Sequence, residues 1–166
     1  MNIRRCVVTL LALGLASVLL TRVTLTAQSK LGSIQGVWQT DEVKIARGRT
    51  IRPQPSLTIF SGTHYSRTEV HTEQPRPVLA DPTKATADEL RAVWGPFVGE
   101  AGTYELQGDH LITMRPLVAK NPVAMSNGAF WVYSYKVEGN TMTLIPQRNQ
   151  DGPNISSETI RLARVE

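Results

Sequence analysis

Cysteine is nearly absent from this chain: Cys6 is the only one in 166 residues, so no disulfide can form within one molecule. The three histidines, His64, His71 and His110, show no close ligand spacing. No structural or catalytic metal is therefore expected, and no cofactor. A glycine-rich phosphate loop and a Gly-x-Ser-x-Gly nucleophile elbow are both missing. The adjacent carboxylates Asp88-Glu89 are accounted for by helix capping. Solenoid-length repeats and low-complexity tracts are missing too, which excludes repeat architectures.

The N-terminus, by contrast, has a clear organisation. Met1-Asn2-Ile3-Arg4-Arg5 carries two positive charges, an almost purely apolar run follows from Cys6 to Leu20, and Thr21 to Ala27 ends on a small residue. A charged start, a short apolar stretch and a small residue at the end form the pattern of a secretory signal peptide. The reading is a signal peptide over 1–27 cleaved after Ala27, and a single exported domain over 28–166, periplasmic or extracellular. The alternative is an uncleaved anchor, but the apolar run falls short of the roughly 20 residues that span a bilayer, and Arg22 follows it closely. Contact with a membrane is thus expected only transiently, through this segment.

Export changes the charge argument. The chain has 18 Lys and Arg against 14 Asp and Glu; without Arg4, Arg5 and Arg22 the balance is 15 against 14. A near-neutral domain gives no basis for nucleic-acid binding, which needs a clustered basic face. Cys6 leaves with the same segment, so the remaining domain depends on its hydrophobic core, for which its length suffices.

Short alternating segments punctuated by Gly, Pro and Asn dominate the rest. Strands are expected over Ile34–Ala46, Leu57–Phe60, His64–Val70, Gly102–Leu106, His110–Leu117, Ala129–Glu138, Thr141–Gln147 and Ser157–Val165. Pro75, Pro77 and Pro82 mark an irregular loop. Thr86-Ala87-Asp88-Glu89 has the spacing of a capping box and predicts one short helix, Ala87 to about Val93, ended by Gly95-Pro96. About eight strands joined mostly by tight turns predict an all-β fold: an antiparallel up-and-down barrel, closed to remove its edges, with one inserted helix.

Gly36-Val37-Trp38 looks like the Gly-x-Trp signature of the lipocalin superfamily. Together with Thr86-Ala87-Asp88-Glu89, Gly102-Thr103-Tyr104-Glu105-Leu106 and Gly139-Asn140-Thr141-Met142-Thr143-Leu144, the chain resembles the bacterial lipocalin-like domain family over about Ile34 to Glu166. The resemblance implies a barrel with a cavity and no particular reaction. It also implies that Trp38 plugs the closed end beneath an arginine of the last strand. Ile160, Leu162 and Arg164 share a face by alternation, which makes Arg164 that arginine; an ordinary core Trp38 with a solvated Arg164 is the alternative.

Trp131, Tyr133 and Tyr135 share one face of their strand, opposite Phe130 and Val132. Amphipathic aromatics of this kind either line a ligand cavity or fill the core. Tyr104 joins them as a cavity candidate. On the best hairpin His64 faces away from Tyr65 and Arg67. An arginine in the cavity, Arg67 or Arg115, would select a carboxylate, whereas a surface arginine would do nothing of the kind. Glu69, His71 and Glu73 alternate on one face and read as an exposed trio running into the proline-rich loop. The leading expectation is a barrel that binds a small hydrophobic molecule. The alternatives are a barrel enzyme of cyclase or isomerase type, and a filled barrel that is structural or binds a partner.

Overall fold

The computed structural model describes residues 34–45, 48–53, 56–126, 128–153 and 158–166. The N-terminal segment and its cleavage position lie outside the described residues. Residues 35–166 form one unit. Its strands are β1 (Gly36–Lys44), β2 (Thr50–Ile51), β3 (Ser56–Ser61), β4 (His64–Val70), β5 (Phe97–Gln107), β6 (Leu111–Ala119), β7 (Trp131–Glu138), β8 (Thr141–Asn149), β9 (Gly152–Pro153) and β10 (Thr159–Arg164), with one helix, α1 (Ala87–Trp94).

Eight of these strands run β1-β3-β4-β5-β6-β7-β8-β10, each antiparallel to the next, and β10 pairs back onto β1 to close the ring. This closed up-and-down barrel is the architecture the resemblance implies. Strand alternation sets its inside and outside: β3, Ser-Leu-Thr-Ile-Phe-Ser, buries every second residue. Three tight turns, at Gly62-Thr63, Gly108-Asp109 and Gly139-Asn140, lie at one end, the closed end. At the other, open end lie the end of β1 and the start of β3, the end of β4 and the start of β5, and the end of β6 and the start of β7.

The helix forms where the capping box predicts it. The Thr86 hydroxyl accepts from the Glu89 amide at 3.3 Å, and a Glu89 carboxylate oxygen accepts from the Thr86 amide at 2.8 Å. None of its residues is buried. Strand β5 differs most from the expectation, because it starts at Phe97 rather than Gly102. Phe97 pairs with Val70 and Glu100 with Arg67, so the chain joins the sheet as soon as Gly95-Pro96 ends the helix. Gly99 and Gly102 interrupt the apolar alternation there and hide the strand's first half from pattern reading. Among the described residues no helix is long and apolar enough to cross a membrane.

Candidate functional site

The closed end is built around Trp38, which is fully buried. Trp38 and Arg164 are register partners across β1 and β10, and the Arg164 guanidinium carbon lies 4.1 Å from the indole centroid. The same guanidinium donates to the Gln35 carbonyl at 2.6 Å. This arrangement explains Gly36: its φ is 128°, and a Cβ there would come within 2.5 Å of the Arg164 Nη1 and 2.6 Å of the Glu166 carbonyl oxygen. Phe60, Tyr65 and Tyr104 fill the next layer, with Phe60 edge-on to Tyr104 at 5.1 Å. Gly102 allows β6 to approach, since a Cβ would meet the Arg115 carbonyl oxygen at 1.9 Å. Buried aromatic side chains in mutual contact thus pack this part of the barrel.

The upper half differs in chemistry. Arg67 and Glu69 follow Tyr65 on the inner face of β4 and share an internal space with Thr40, Thr58 and Tyr133, lined also by Met114, Leu144, Ile160 and Leu162. The free space they enclose is about 10 Å3, the room of a single water. An ion pair lies in it: Arg67 Nη2 to Glu69 Oε1 is 2.5 Å, with the carboxylate 5 % and the guanidinium 18 % exposed. His71 Nε2 meets the same carboxylate oxygen from the open end, with its ring half exposed. The Thr40 hydroxyl donates to Glu69 Oε2 at 3.3 Å. Glu100, across from Arg67, accepts from the Tyr65 hydroxyl at 3.4 Å.

These contacts fix the charges. Burial alone would raise the Glu69 carboxyl, but the hydrogen bond from His71 and the charge and hydrogen bond of Arg67 outweigh it and hold the pKa at about 2. Burial works against the Arg67 charge, yet the Glu69 carboxylate more than offsets it and pushes that pKa further up. The Tyr65 phenol is raised by burial and by Glu100, and the Tyr133 phenol by burial. At neutral pH the site thus holds a cation, an anion and two protonated phenols. Arg67 and Tyr133, from β4 and β7, both line this space.

The residues singled out from the sequence divide into three groups. Arg67 and Tyr133 line the free space. Tyr104 and Tyr135 are buried but do not line it, and Trp131, opposite Met114 in register, is half-buried. Arg115 and His64 do not reach the interior, which corrects their reading as cavity residues. Ile112 and Met114 face inward, so Arg115 faces out, where its guanidinium lies 5.4 Å from the Phe130 ring. His64 is exposed because Tyr65 takes the inner face of β4. A further correction concerns Glu69, which reads as exposed in the sequence and is buried in the barrel. Its signal was present: Tyr65, Arg67, Glu69 and His71 share one parity, so the face that buries Tyr65 also carries the carboxylate inward. A second, open groove of about 320 Å3 runs along the rim between Leu57, Thr68, Val70, Arg76 and Phe97, and also touches Glu69. Among the described residues no cluster of His, Cys, Asp and Glu could hold a metal ion.

No family model matches the chain, and no curated protein matches it. Among solved structures it is similar to a lipocalin-like protein from Bacteroides uniformis, with 13 % identity, 80 % of this chain and 98 % of that one covered, and a TM-score of 0.48. It is also similar to a redesigned β-barrel (12 % identity, 82 % and 96 % covered, TM-score 0.45) and to a de novo designed fluorescence-activating β-barrel (14 %, 81 % and 95 %, TM-score 0.41).

Proposed function

We propose that this is an exported barrel that binds a small, mainly apolar molecule in its upper half, with the polar end of that molecule anchored at Arg67 and Glu69. Export rests on the charged start, apolar run and small residue of the N-terminal 27 residues. The observation that carries the binding reading is the Arg67–Glu69 pair itself. A buried ion pair contributes little net stability compared with apolar side chains of the same volume. A barrel kept only as a scaffold has no need of one, and strongly perturbed titratable groups concentrate at functional sites. The packed aromatic layer above Trp38 sets the depth of the site. Because the free space equals one water, a ligand enters by displacing polar contacts at the open end, and the His71–Glu69 contact is the outermost of them. An amphiphile bearing a carboxylate replaces Glu69 on Arg67 and lays its apolar body against Met114, Leu144, Ile160 and Leu162.

The test is a titration with a fluorescent polyene fatty acid and with its methyl ester. Saturable binding of the acid, weaker binding of the ester and loss of that preference in Arg67→Met support the reading. No binding of either, or equal binding in both proteins, contradicts it.

One observation favours a second reading, catalysis. The Glu69 carboxylate orients the His71 imidazole, the arrangement of a general base held by an acid. Recovery of the added molecule unchanged favours binding; conversion that disappears in His71→Ala favours catalysis.

A further inference from the structure

From His110 to Val137 the chain contains no Asp or Glu. This acid-free arm comprises β6, the open-end connection with its 3-10 turn (Pro122–Met125), and most of β7. It leaves large apolar side chains uncovered at the open end: Leu117, Val118, Val123 and Met125 are 66, 60, 65 and 44 % exposed. Single exposed apolar residues need no explanation, but a group at one rim does.

Two cations flank the group. Arg115 on β6 and Arg148 on β8 both stack on Phe130, with guanidinium carbons 5.4 and 5.1 Å from its centroid. Among the described residues no carboxylate lies within 4.0 Å of either guanidinium. The acids closest in register, Glu105 and Asp151, are engaged by the side chains of Gln107 and Gln150. Lys120 lies in the same arm, but its ammonium is taken up by the carbonyl oxygens of Trp94, Gly95 and Phe97. The arm thus presents an uncovered apolar tip beside two ring-held guanidiniums that have no carboxylate partner among the described residues.

We propose that this face docks on an anionic lipid surface, with the tip of Val123 and Met125 at the acyl boundary and Arg115 and Arg148 at the headgroup phosphates. Apolar insertion and cationic attraction are the two components of interfacial binding, and this face supplies both. The aromatic stacking holds the guanidiniums in place before binding, which reduces the entropy lost on contact. Sequence reading confines membrane contact to the N-terminal segment; here the folded barrel makes it, with its open end toward the bilayer. The inference does not depend on what the barrel interior binds.

Vesicle flotation tests it, using the protein as isolated from its own host. Vesicles are phosphatidylcholine alone or phosphatidylcholine with phosphatidylglycerol. Binding to the anionic vesicles that weakens with salt is expected, with little on the neutral ones. Arg115→Gln with Arg148→Gln should weaken it about 30-fold, from the attraction of two cations near a charged surface. Val123→Ser with Met125→Ser changes two exposed side chains of the 3-10 turn and should also weaken it, with cooperative urea unfolding confirming that the variant is folded. No binding, equal binding to both vesicle types, or binding that survives both double substitutions overturns the proposal; the last result would assign it to another part of the chain.

Discussion

Replacing Glu69 by Gln keeps the shape of the side chain and removes the charge that faces Arg67. The carboxyl is held at about 2 against an ordinary 4.5, which corresponds to about 3 kcal/mol of stability at neutral pH. Because the folded-state pKa is depressed, that contribution is complete above the unfolded value of 4.5. It declines as pH falls from there towards 2. Urea unfolding at neutral pH should therefore place Glu69→Gln about 3 kcal/mol below the parent, and the gap should narrow steadily as the pH is lowered through 4. Arg67→Met should cost a similar amount, about 3–5 kcal/mol, since it leaves a buried carboxylate without its principal partner. The double variant Arg67→Met with Glu69→Leu should recover most of the loss, because the desolvation cost of both charges goes with them. If both single variants lie within about 1 kcal/mol of the parent, the pair behaves as a solvated surface ion pair and the reasoning fails.

Arg164→Ala removes the stack on Trp38 and the hydrogen bond to Gln35; thermal unfolding should show a loss of about 1–3 kcal/mol. An unchanged midpoint would make Trp38 an ordinary core residue. Gly102→Ala drives a methyl group into the β6 backbone and should destabilise by about 1–3 kcal/mol or more, read by urea unfolding. Tyr104 is buried and its hydroxyl has no hydrogen-bonding partner among the described residues. Tyr104→Phe should accordingly unfold at the same or a higher temperature than the parent, and a clear drop would reveal a hidden partner.

The strand plan was legible because period-two alternation and tight Gly turns mark each hairpin, and the capping box marks the helix. The closed end was legible through the resemblance carried by Gly36-Val37-Trp38, with strand alternation selecting Arg164 as the arginine of the last strand. The polar upper half was harder to see. Arg67 and Glu69 look like any exposed strand pair, because burial of a charge is decided by what lies across the barrel, not by neighbours in the chain. Continuous parity from Tyr65 to His71 was the available clue, and the adjoining proline-rich loop obscured it by suggesting an exposed end. Arg115 failed in the opposite direction: its inward or outward sense depends on Met114 taking the inner face, one residue away.

Native mass spectrometry of the protein purified from its own host shows whether the barrel carries a ligand. A reproducible small-molecule adduct is expected at one per chain, absent from an Arg67→Met variant that still unfolds cooperatively. A clean unliganded mass, together with no response to the polyene fatty acid, would contradict it.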